Sequence, residues 1–401
     1  MSKLEQLIQE LCPNGVEFKY VWEITAWDKK FNAVDNSKQK KIVKYHYYLA
    51  ADLKALENEN GTVKILTTSI TDLWANEDDV MDTLSDGEIV CIPWGGNPVV
   101  QYHKGKFITG DNRIATSIDT SVLDNKYLYY CLQNKLQEIA TFYRGSGIKH
   151  PDMSKVLDLK IPVPPLEVQR EIVRILDNFT LLTAELTAEL TTRKKQYDYY
   201  TEHLMNFGEN VKILTLGEIG SVKMCKRILK AQTNTKGGIP FYKIGTFGKE
   251  PDAYIEEEVF EDYKSKYSYP KKGDILISCS GTIGRTVIFD GEPAYFQDSN
   301  IVWLEHDGTI VNNKYLLYCY KKQPWQISTG GTISRLYNDN ILKAKIPVPP
   351  LEEQERIVGI LERFDKLCND ISEGLPAEIE ARQKQYEYYR DKLLTFKELS
   401  E

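Results

Sequence analysis

The chain has 401 residues, of which 42% are hydrophobic and 27% charged, proportions typical of a soluble globular protein of two or three domains. Its formal net charge is −7, which excludes a strongly basic protein that binds nucleic acid through charge alone. No apolar run reaches the roughly 18–20 residues that a membrane-spanning helix needs, and the first residues lack the pattern of a secretory signal peptide.

The seven cysteines are widely spaced and include no CxxC pair, which argues against a disulfide framework and against a zinc site. The five histidines are also scattered, so no cluster of metal ligands is expected. These features predict a protein of the reducing cytoplasm without a structural metal ion.

The first predicted element is a helix within the N-terminal segment 1–20. Its apolar residues Leu4, Leu7, Ile8 and Leu11 recur at steps of three and four, which places them on one helical face. The sequence Leu-Cys-Pro-Asn-Gly-Val-Glu-Phe starts at the last of these residues and leads into the first globular segment.

Segment 21–160 is predicted to be a globular domain of mixed helix and strand. The apolar run Ile89–Ile92 indicates a strand, and residues 123–133 have the pattern of a short amphipathic helix. The stretch Lys41–Tyr48 mixes basic and aromatic residues, which fits a nucleic-acid face or, equally, a strand with an aromatic core side.

Polar, glycine-rich loops of this segment are candidates for contact with DNA. Such loops let backbone amides approach phosphates, while asparagine suits adenine and arginine or lysine suits guanine or phosphate. The alternative, that they are ordinary hairpin turns, stays open for each loop. The candidate contacts are Trp94, Asn97, Arg113, Arg144 and Lys149.

Segment 161–207 is predicted to be one continuous helix after a proline-rich start. Pro164 and Pro165 fit a loop that precedes a helix, and the apolar residues that follow recur mostly at alternating steps of three and four. About 40 helical residues, at a rise of about 1.5 Å each, give a length of roughly 60 Å.

Segment 208–345 is predicted to be a second globular domain. The runs Ile275–Ser278 and Thr286–Phe289 indicate strands, and residues 311–322 resemble the earlier amphipathic helix. Residues 208–350 hold 19 Lys and Arg against 16 Asp and Glu, a net charge of +3. Because salt screens exposed charges beyond about 10 Å, this local balance decides phosphate contact more than the charge of the whole chain.

Polar loops recur in this second domain, with different side chains. The tight turn Ser278–Arg285 is rich in glycine and ends on an arginine suited to a guanine edge. Equivalent loops in both domains favour DNA recognition over simple turns. The candidate contacts are Ser280, Thr282, Arg285, Gln297, Asn300, Thr332 and Arg335.

The C-terminal segment 346–401 repeats the earlier helical segment. The heptapeptide Ile-Pro-Val-Pro-Pro-Leu-Glu begins at Ile161 and, letter for letter, again at Ile346. A later block, Arg-Lys-Lys-Gln-Tyr-Asp-Tyr-Tyr from Arg193, matches a similar block from Arg382, and here the offset between the copies is larger by four. The second copy therefore contains four extra residues between the two blocks.

The insertion of these four residues is placed within the stretch Ser372–Pro376. An insertion of four residues unwinds a coiled coil locally, and Gly374 and Pro376 are expected to break or kink the helix there. The first copy has neither residue at the matching place, so its helix is expected to be continuous.

The chain is thus predicted to contain two copies of one unit, a globular domain followed by a long helix. A repeat that spans nearly half of the chain indicates domain duplication, and two similar heptad helices in one chain favour pairing with each other over oligomerisation. Exposed faces around Gln169, around Gln354 and around the two Gln-Tyr-x-Tyr-Tyr blocks are predicted to bind partner proteins. The residues predicted to lie in the seam between the helices are Tyr197, Tyr200, Tyr386 and Tyr389.

No known catalytic motif appears in the chain. It lacks the GxxxxGK[ST] loop that holds ATP phosphates, a GxSxG nucleophile elbow and an Asn-Pro-Pro-aromatic motif of amino-methyltransferases. The acidic residues Asp78, Asp79 and Asp82 are interpreted as a solvated loop. The sequence therefore predicts a chain without an active site of its own.

The repeated helical segments resemble the conserved regions of Type I restriction–modification specificity subunits. The resemblance is carried by the pattern Leu-Glu-x-Gln, Ile-Val-x-Ile-Leu and Phe, and by the Glu-Gly-Leu-Pro-Ala-Glu-Ile-Glu sequence from Glu373. The central copy departs from the family pattern, because Leu-Thr-Ala-Glu-Leu-Thr from Leu186 replaces the Glu-Gly-Leu-Pro-Ala sequence. The resemblance covers the whole chain and is specific in the helices.

The resemblance implies an α+β fold with two duplicated target-recognition domains. Each domain is expected to recognise one DNA half-site, and two long antiparallel coiled-coil helices are expected to separate the domains with pseudo-twofold symmetry. The expected boundaries are 1–20, 21–160, 161–207, 208–345 and 346–401.

The resemblance also implies partners and a division of labour. Two methyltransferase subunits would bind S-adenosylmethionine and methylate DNA, and restriction subunits would add ATP- and Mg²⁺-dependent cleavage, while this cytoplasmic chain would bind no cofactor and catalyse neither reaction. Two alternatives remain at this stage: a nuclease or DNA methyltransferase with an unrecognised active site, or a coiled-coil adaptor without a DNA role.

Overall fold

In a computed structural model of the chain, the structure describes residues 2–208, 211–327 and 334–399. It contains both helices and strands in each half of the chain, which confirms the expected α+β class. No helix within these ranges combines the length and the apolar character that crossing a membrane requires.

A helix is present at each place where the sequence predicts one, and further short helices occur that it does not predict. Short 3-10 turns occur at Asn36–Lys38 and Lys230–Gln232. The α-helices are α1 Lys3–Leu11, α2 Val21–Ile24, α3 Ala50–Ala55, α4 Asn125–Asn134, α5 Leu136–Thr141, α6 Met153–Leu157, α7 Leu166–Leu204, α8 Leu216–Ile219, α9 Glu257–Lys266, α10 Asn313–Lys321, α11 Asn338–Lys343, α12 Leu351–Asn369 and α13 Leu375–Leu393.

Most strands are short, and they lie within the two globular segments or at the ends of these segments. They are β1 Glu17–Tyr20, β2 Thr25–Trp27, β3 Val63–Leu66, β4 Leu73–Ala75, β5 Ser85–Pro93, β6 Gln101–Thr109, β7 Asn112–Ser117, β8 Tyr143–Arg144, β9 His150–Pro151, β10 Lys160–Val163, β11 Lys212–Thr215, β12 Ser221–Lys223, β13 Thr233–Asn234, β14 Ile239–Tyr242, β15 Tyr254–Ile255, β16 Ile275–Ser278, β17 Thr286–Ile288, β18 Tyr295–Phe296, β19 Ile301–Glu305 and β20 Lys345–Val348. The predicted strand Ile275–Ser278 is confirmed, and the predicted run Ile89–Ile92 lies inside β5.

The chain forms two compact units. The first comprises Met1–Thr187 and Glu378–Glu401, and the second comprises Ala188–Ala377. The chain therefore passes between the units twice, once inside α7 and once inside α13.

The first unit is built on a six-stranded sheet with the order β2-β7-β5-β6-β3-β4. All neighbouring strands are antiparallel except β3 and β6, which run parallel. Helix α4 packs against the sheet, so that Tyr127 and Leu128 join Val90 and Ile92 in one buried cluster. This core leaves the loops at the strand ends on the surface.

The second unit contains two four-stranded sheets, with the orders β12-β19-β16-β17 and β13-β15-β14-β18. Alternating residues of β16 serve two cores, because Ile277 packs with Tyr315 of α10, whereas Leu276 packs with Trp303 and Phe260. This alternation is the two-residue period of a strand buried on both faces.

A short antiparallel ladder precedes the long helix in each unit. Strand β1 pairs with β10, and β11 pairs with β20 in the same register, so that Phe18 opposes Pro162 and Ile213 opposes Pro347. The repeated Ile-Pro-Val-Pro-Pro sequence thus forms the second strand of this ladder and the turn into α7 or α12. The structural duplication confirms the internal repeat that the sequence predicts.

Helix α7 runs without interruption over 39 residues, as predicted. In the first unit, Phe179 of α7 stacks on Tyr389 of α13, with 5.3 Å between the ring centroids. Lys160, before α7, pairs with Glu398, after α13. The two segments therefore run antiparallel in this unit.

The same arrangement occurs within the second unit. Phe364 of α12 contacts the rings of Tyr197 and Tyr200, at centroid distances of 6.4 and 5.4 Å. Cys368, one turn later in α12, lies within electrostatic reach of Lys194, which is earlier in α7. The helices of this pair also run antiparallel, and the predicted seam positions of Tyr197, Tyr200 and Tyr389 are confirmed.

The predicted helix break is present. Helix α12 ends at Asn369, and α13 begins at Leu375. A Cβ atom on Gly374 would lie 2.6 Å from the carbonyl oxygens of Lys366 and Asp370, so only glycine fits this turn. Pro376 lies in the first turn of α13, where its missing N–H group costs little.

The prediction of exposed partner-binding faces around Gln169 and Gln354 needs correction, because both side chains are fully buried. The Gln169 amide donates to the carbonyls of Val122 and Pro164, and its oxygen accepts from the backbone of Asp124. These contacts fasten the start of α7 to the start of α4.

The second copy repeats this arrangement atom for atom. The Gln354 amide donates to the carbonyls of Ile310 and Pro349, and its oxygen accepts from the backbone of Asn312, at distances of 2.8–3.0 Å. The two glutamines are therefore structural, because they satisfy backbone groups that would otherwise be buried without partners.

Candidate nucleic-acid interface

The side chains in the described part of the chain offer no evident centre for covalent chemistry. No group of three His, Cys, Asp or Glu side chains within those ranges is arranged to hold a metal ion. All seven cysteines are buried and free, and burial raises the pKa of Cys91 to about 12 and that of Cys279 to about 11. These thiols therefore stay protonated near neutral pH and are poor nucleophiles.

The structure brings two predicted loops of the first unit together. The turn after β5 contains Trp94 and Asn97, and the short hairpin formed by β8 and β9 carries Arg144 and Lys149. The backbone N–H of Gly96 donates to the carbonyl of Lys149, at 3.1 Å. The loops thus form one surface, although β6, β7, α4 and α5 lie between them in the sequence.

The ring of Trp94 is surrounded by basic groups. The Arg113 guanidinium carbon lies 4.7 Å from the ring centroid, and Lys29 Nζ lies 5.6 Å from it. The ring of His150 packs against Trp94 at 5.2 Å, and His150 Nδ1 is 2.7 Å from the Trp94 carbonyl oxygen. These contacts hold the indole in place at the base of the loop surface.

The prediction that Arg113 contacts DNA is corrected by its burial, because its side chain is only 1% exposed. Arg113 Nη1 donates to Asp28 Oδ2 at 2.9 Å, and Nη2 donates to Asp111. The Tyr47 hydroxyl also donates to Asp28, at 2.7 Å. Arg113 therefore supports the Trp94 ring from below.

The stretch Lys41–Tyr48 has its aromatic side turned inward. Tyr45 packs on Phe107 and Tyr47 binds Asp28, while Lys41 and Lys44 are exposed. Burial, together with the Asp28 carboxylate, raises the pKa of Tyr47 well above its ordinary value, so its hydroxyl remains a donor. The stretch forms isolated bridges at Ile42 and Tyr47 but no strand, so the predicted strand is wrong, and the nucleic-acid face stays a prediction.

The remaining candidates of the first unit are accessible. Asn97, Arg144 and Lys149 are exposed, as is Lys29, which the sequence analysis does not single out. Within the described ranges, none of these three cations forms an ion pair with a carboxylate. Their charges are therefore free to meet phosphates.

In the second unit, the turn that joins β16 to β17 is held by its own hydrogen bonds. The Ser278 hydroxyl donates to the carbonyl of Thr282 at 2.5 Å and accepts from the backbone N–H of Arg285 at 2.9 Å. Gly284 has a φ of +77°, and a Cβ there would lie 3.1 Å from the Trp325 ring. The turn consequently has one well-defined shape.

A second predicted turn packs against this one. Ser280 Oγ donates to Asn300 Oδ1 at 2.8 Å, and the backbone N–H of Cys279 donates to the Asn300 carbonyl at 2.7 Å. Gln297 Oε1 accepts from the backbone of Ile244 at 2.9 Å. The side chains of Ser280, Gln297 and Asn300 are all partly exposed, so they lie together at one surface.

The two arginines of this surface also fix its loops. Arg285 Nη1 donates to the Phe247 carbonyl at 2.9 Å, and Arg335 Nη2 donates to the Ser299 carbonyl at 2.7 Å. Both guanidinium groups are partly exposed and keep other N–H groups for a ligand. Thr332, the last predicted contact, lies outside the described residues.

Sequence reasoning missed Lys29, His150 and Asp28 as parts of the first surface. Lys29 and Asp28 follow β2, and the ladder between β2 and β7 brings them beside Arg113. No local pattern marks such a contact, because it depends on strand order. The basic pair Lys29–Lys30 after an apolar strand is the one signal that could have suggested Lys29.

Comparison with known proteins gives a match along both copies. The family model described as the Type I restriction modification DNA specificity domain matches residues 32–193 and again residues 208–381. A putative type I restriction enzyme specificity subunit of Haemophilus influenzae is 54% identical over 324 residues, covering 78% of this chain and 83% of that protein. The EcoR124I/EcoR124II specificity subunit of Escherichia coli is 36% identical over 311 residues, covering 71% and 74%.

Solved structures resemble the fold along nearly its whole length. The S subunit of a Type I restriction–modification system from M. genitalium has a TM-score of 0.59 at 16% identity, covering 95% of this chain and 96% of that chain. The HsdS subunit from Thermoanaerobacter tengcongensis has a TM-score of 0.50 at 15% identity, covering 96% of each chain. At these identities the likeness concerns the fold alone.

Proposed function

We propose, from the premise that this chain belongs to the family of Type I restriction–modification specificity subunits, that its two units each recognise one half of a bipartite DNA target. As a specificity subunit the chain is non-catalytic, which sets aside the alternative of a nuclease or methyltransferase with an unrecognised site. The surfaces of this chain must then recognise double-stranded DNA.

The observation that carries this proposal is the pair of loop surfaces, one in each duplicated unit. Each surface joins loops that are distant in sequence and contains side chains able to bind base edges or phosphates. The side chains differ between the units, whereas the buried Gln169 and Gln354 contacts at the starts of α7 and α12 are alike. Different loops on a repeated scaffold fit two half-sites of different sequence.

In the first unit we assign Asn97 to a base edge and Arg144 and Lys149 to phosphate or guanine. The exposed amide of Asn97 matches the donor and acceptor pair of adenine in the major groove. Trp94 is assigned to the support of this loop and to contact at its edge, because Arg113, Lys29 and the His150 ring surround its own ring.

In the second unit we assign Ser280, Thr282, Gln297 and Asn300 to base edges. Arg285 and Arg335 bind DNA through the N–H groups that their backbone contacts leave free. The net charge of +3 over residues 208–350 supports contact with phosphates, although it is too small to hold DNA tightly without partner subunits. Thr332 remains a candidate from the sequence alone.

Two methyltransferase subunits and the restriction subunits are the proposed partners. Large side chains that are more than half exposed on the long helices support this. Examples are Leu181 and Tyr199 on α7 and Tyr388 on α13. S-adenosylmethionine, ATP and Mg²⁺ would be held by those subunits, in the cytoplasm.

The experiment is selection of methylated sites from a random DNA library by the chain assembled with its methyltransferase subunits. We expect two short specified sequences separated by an unspecified gap. Arg144→Ala and Lys149→Ala should relax one half only, and Ser280→Ala and Asn300→Ala the other half only.

Two outcomes would count against the proposal. Sequence-independent methylation by the assembled complex would favour a coiled-coil adaptor without a DNA role. Relaxation of both halves by a variant of one unit would contradict the assignment of one half-site to each unit. The chain alone, incubated with plasmid and S-adenosylmethionine, is the control and should transfer no methyl groups.

A further inference from the structure

We propose that Ile148 contacts the 5-methyl group of a thymine in the half-site recognised by the first unit. This inference rests on the proposed function, because it assigns a specific base contact to a surface taken to bind DNA. It concerns a residue outside the set of polar candidates that the sequence analysis names.

Ile148 lies at the tip of the hairpin formed by β8 and β9. Tyr143 pairs with Pro151 and Arg144 pairs with His150, which leaves residues 145–149 as the tip. Gly145 has a φ of +144°, and a Cβ there would lie 2.6 Å from the Ile148 carbonyl oxygen. The tip is thus a tight turn in which a larger residue in place of Gly145 would clash with the backbone.

The side chain of Ile148 lies beside Gly95 and is otherwise largely open to solvent. Its Cγ2 atom would lie 2.8 Å from a Cβ on Gly95, so the glycine makes room for the isoleucine. Ile148 is nevertheless 70% exposed. An exposed β-branched residue presents an apolar group with few rotamers, because its χ1 angle is restricted.

The neighbours of Ile148 identify the kind of partner. Arg144 and Lys149 flank it with positive charge, and Asn97 lies on the turn whose Gly96 binds the Lys149 carbonyl. An apolar protein surface would not be matched to such polar surroundings, whereas DNA presents phosphates and base edges together.

The major groove contains one apolar group on its base edges, the 5-methyl of thymine. An isoleucine among hydrogen-bonding side chains on a surface of this kind is therefore suited to distinguish thymine from cytosine. The repeat supports a common role, since the offset that carries Ile161 onto Ile346 also carries Ile148 onto another isoleucine, Ile333. That second residue lies outside the described ranges.

The test replaces each thymine of the first half-site in turn by deoxyuridine, which lacks only the methyl group. The assembled complex with the wild-type chain should lose affinity about fourfold at one position, as expected for one buried methyl group. Ile148→Ala should lose about the same affinity for thymine DNA and should show no further loss with deoxyuridine at that position.

Ile118→Ala is the matched control, because Ile118 is an exposed isoleucine of the same unit that follows the far end of β7. It should retain the wild-type response to deoxyuridine. Unchanged melting temperatures of both variants would show that the fold is intact.

Three results would overturn the inference. They are a first half-site without thymine, a wild-type complex indifferent to every deoxyuridine, and an Ile148→Ala complex that responds to deoxyuridine as the wild type does. In each of these cases sequence-specific binding by the wild type would leave the proposed function intact. Absence of any sequence-specific binding would instead remove the proposed function, and this inference with it.

Discussion

Arg113 shows how one buried charge can organise a surface without belonging to it. Its guanidinium pairs with Asp28, which is fully buried, and lies under the Trp94 ring at 4.7 Å. A buried charge that loses its buried partner is costly, since water does not reach the guanidinium and the exposed Asp111 carboxylate replaces only part of the lost interaction. The position of Trp94, and with it the shape of the DNA-binding loop, therefore depends on Asp28.

We expect Asp28→Asn to lower the free energy of unfolding of the first unit by about 3–5 kcal/mol. The same variant should weaken binding to the first half-site and leave the second half-site unchanged. Denaturation in urea, followed by tryptophan fluorescence, measures the first effect, and the methylated-site selection measures the second.

Asp111→Asn is the matched control for this prediction. Asp111 also pairs with Arg113, but its side chain is 60% exposed, so water can replace much of its contribution. We expect a loss of about 0–1 kcal/mol. Equal losses in the two variants would show that the buried ion pair is not what holds Arg113.

At the scale of elements, the two buried glutamines set the start of each long helix. Each amide satisfies three backbone groups at the junction of a globular domain with its helix. An apolar residue cannot replace either glutamine without cost, because the two backbone carbonyls and the backbone N–H group that it binds would remain buried without partners. The duplicated sequence Leu-Glu-x-Gln is thus explained by a structural requirement.

We expect Gln169→Ala and Gln354→Ala each to destabilise its own unit by about 3 kcal/mol, from three backbone groups at roughly 1 kcal/mol each. The two losses should be similar, since the contacts are alike. Calorimetry of the full chain would measure them. Gln383→Ala, at an exposed position of α13, is the control and should change stability by less than about 0.5 kcal/mol.

A small effect of Gln169→Ala together with loss of methyltransferase binding would revive the prediction that this residue binds a partner. That prediction was wrong in its premise of an exposed face, for a physical reason. The groups that bury Gln169 belong to Val122 and Asp124, which lie far earlier in the chain, beside α4. The sequence pattern of a heptad helix does not indicate that one of its glutamines binds backbone groups of a distant segment.

Other elements could be predicted because their causes are local. The helix breaks before Leu375 because the second copy of the repeat contains Gly374. Helix α7 is continuous because the first copy has no glycine at the matching place. The strand order of the six-stranded sheet has no such local cause. Hence the sequence identified Trp94 and Lys149 as candidates. Only the fold shows that their loops adjoin, through the hydrogen bond from Gly96 to Lys149, and that Arg113 is buried.

For the whole molecule, the relevant feature is that the chain passes between its units only at residues 187–188 and 377–378, both inside helices. If each unit recognises one half-site, the length of these helical connections should set the gap between the halves. Both connections must change together, because α7 pairs with α13 inside the first unit and with α12 inside the second.

We therefore expect that inserting seven residues at both positions will lengthen the preferred gap. Seven helical residues add about 10 Å, which corresponds to about three base pairs at a rise of about 3.4 Å each. A whole heptad keeps the seam residues facing their partners. Selection of methylated sites by the assembled complex would measure the gap, while the two half-site sequences should stay the same.

Insertion at residues 187–188 alone is the informative comparison for this prediction. It lengthens one helix against an unchanged partner, so the seam loses its register and specific methylation should fall sharply without a new gap. An unchanged gap in the doubly lengthened chain, with methylation retained, would mean that the partner subunits rather than these helices determine the distance between the half-sites.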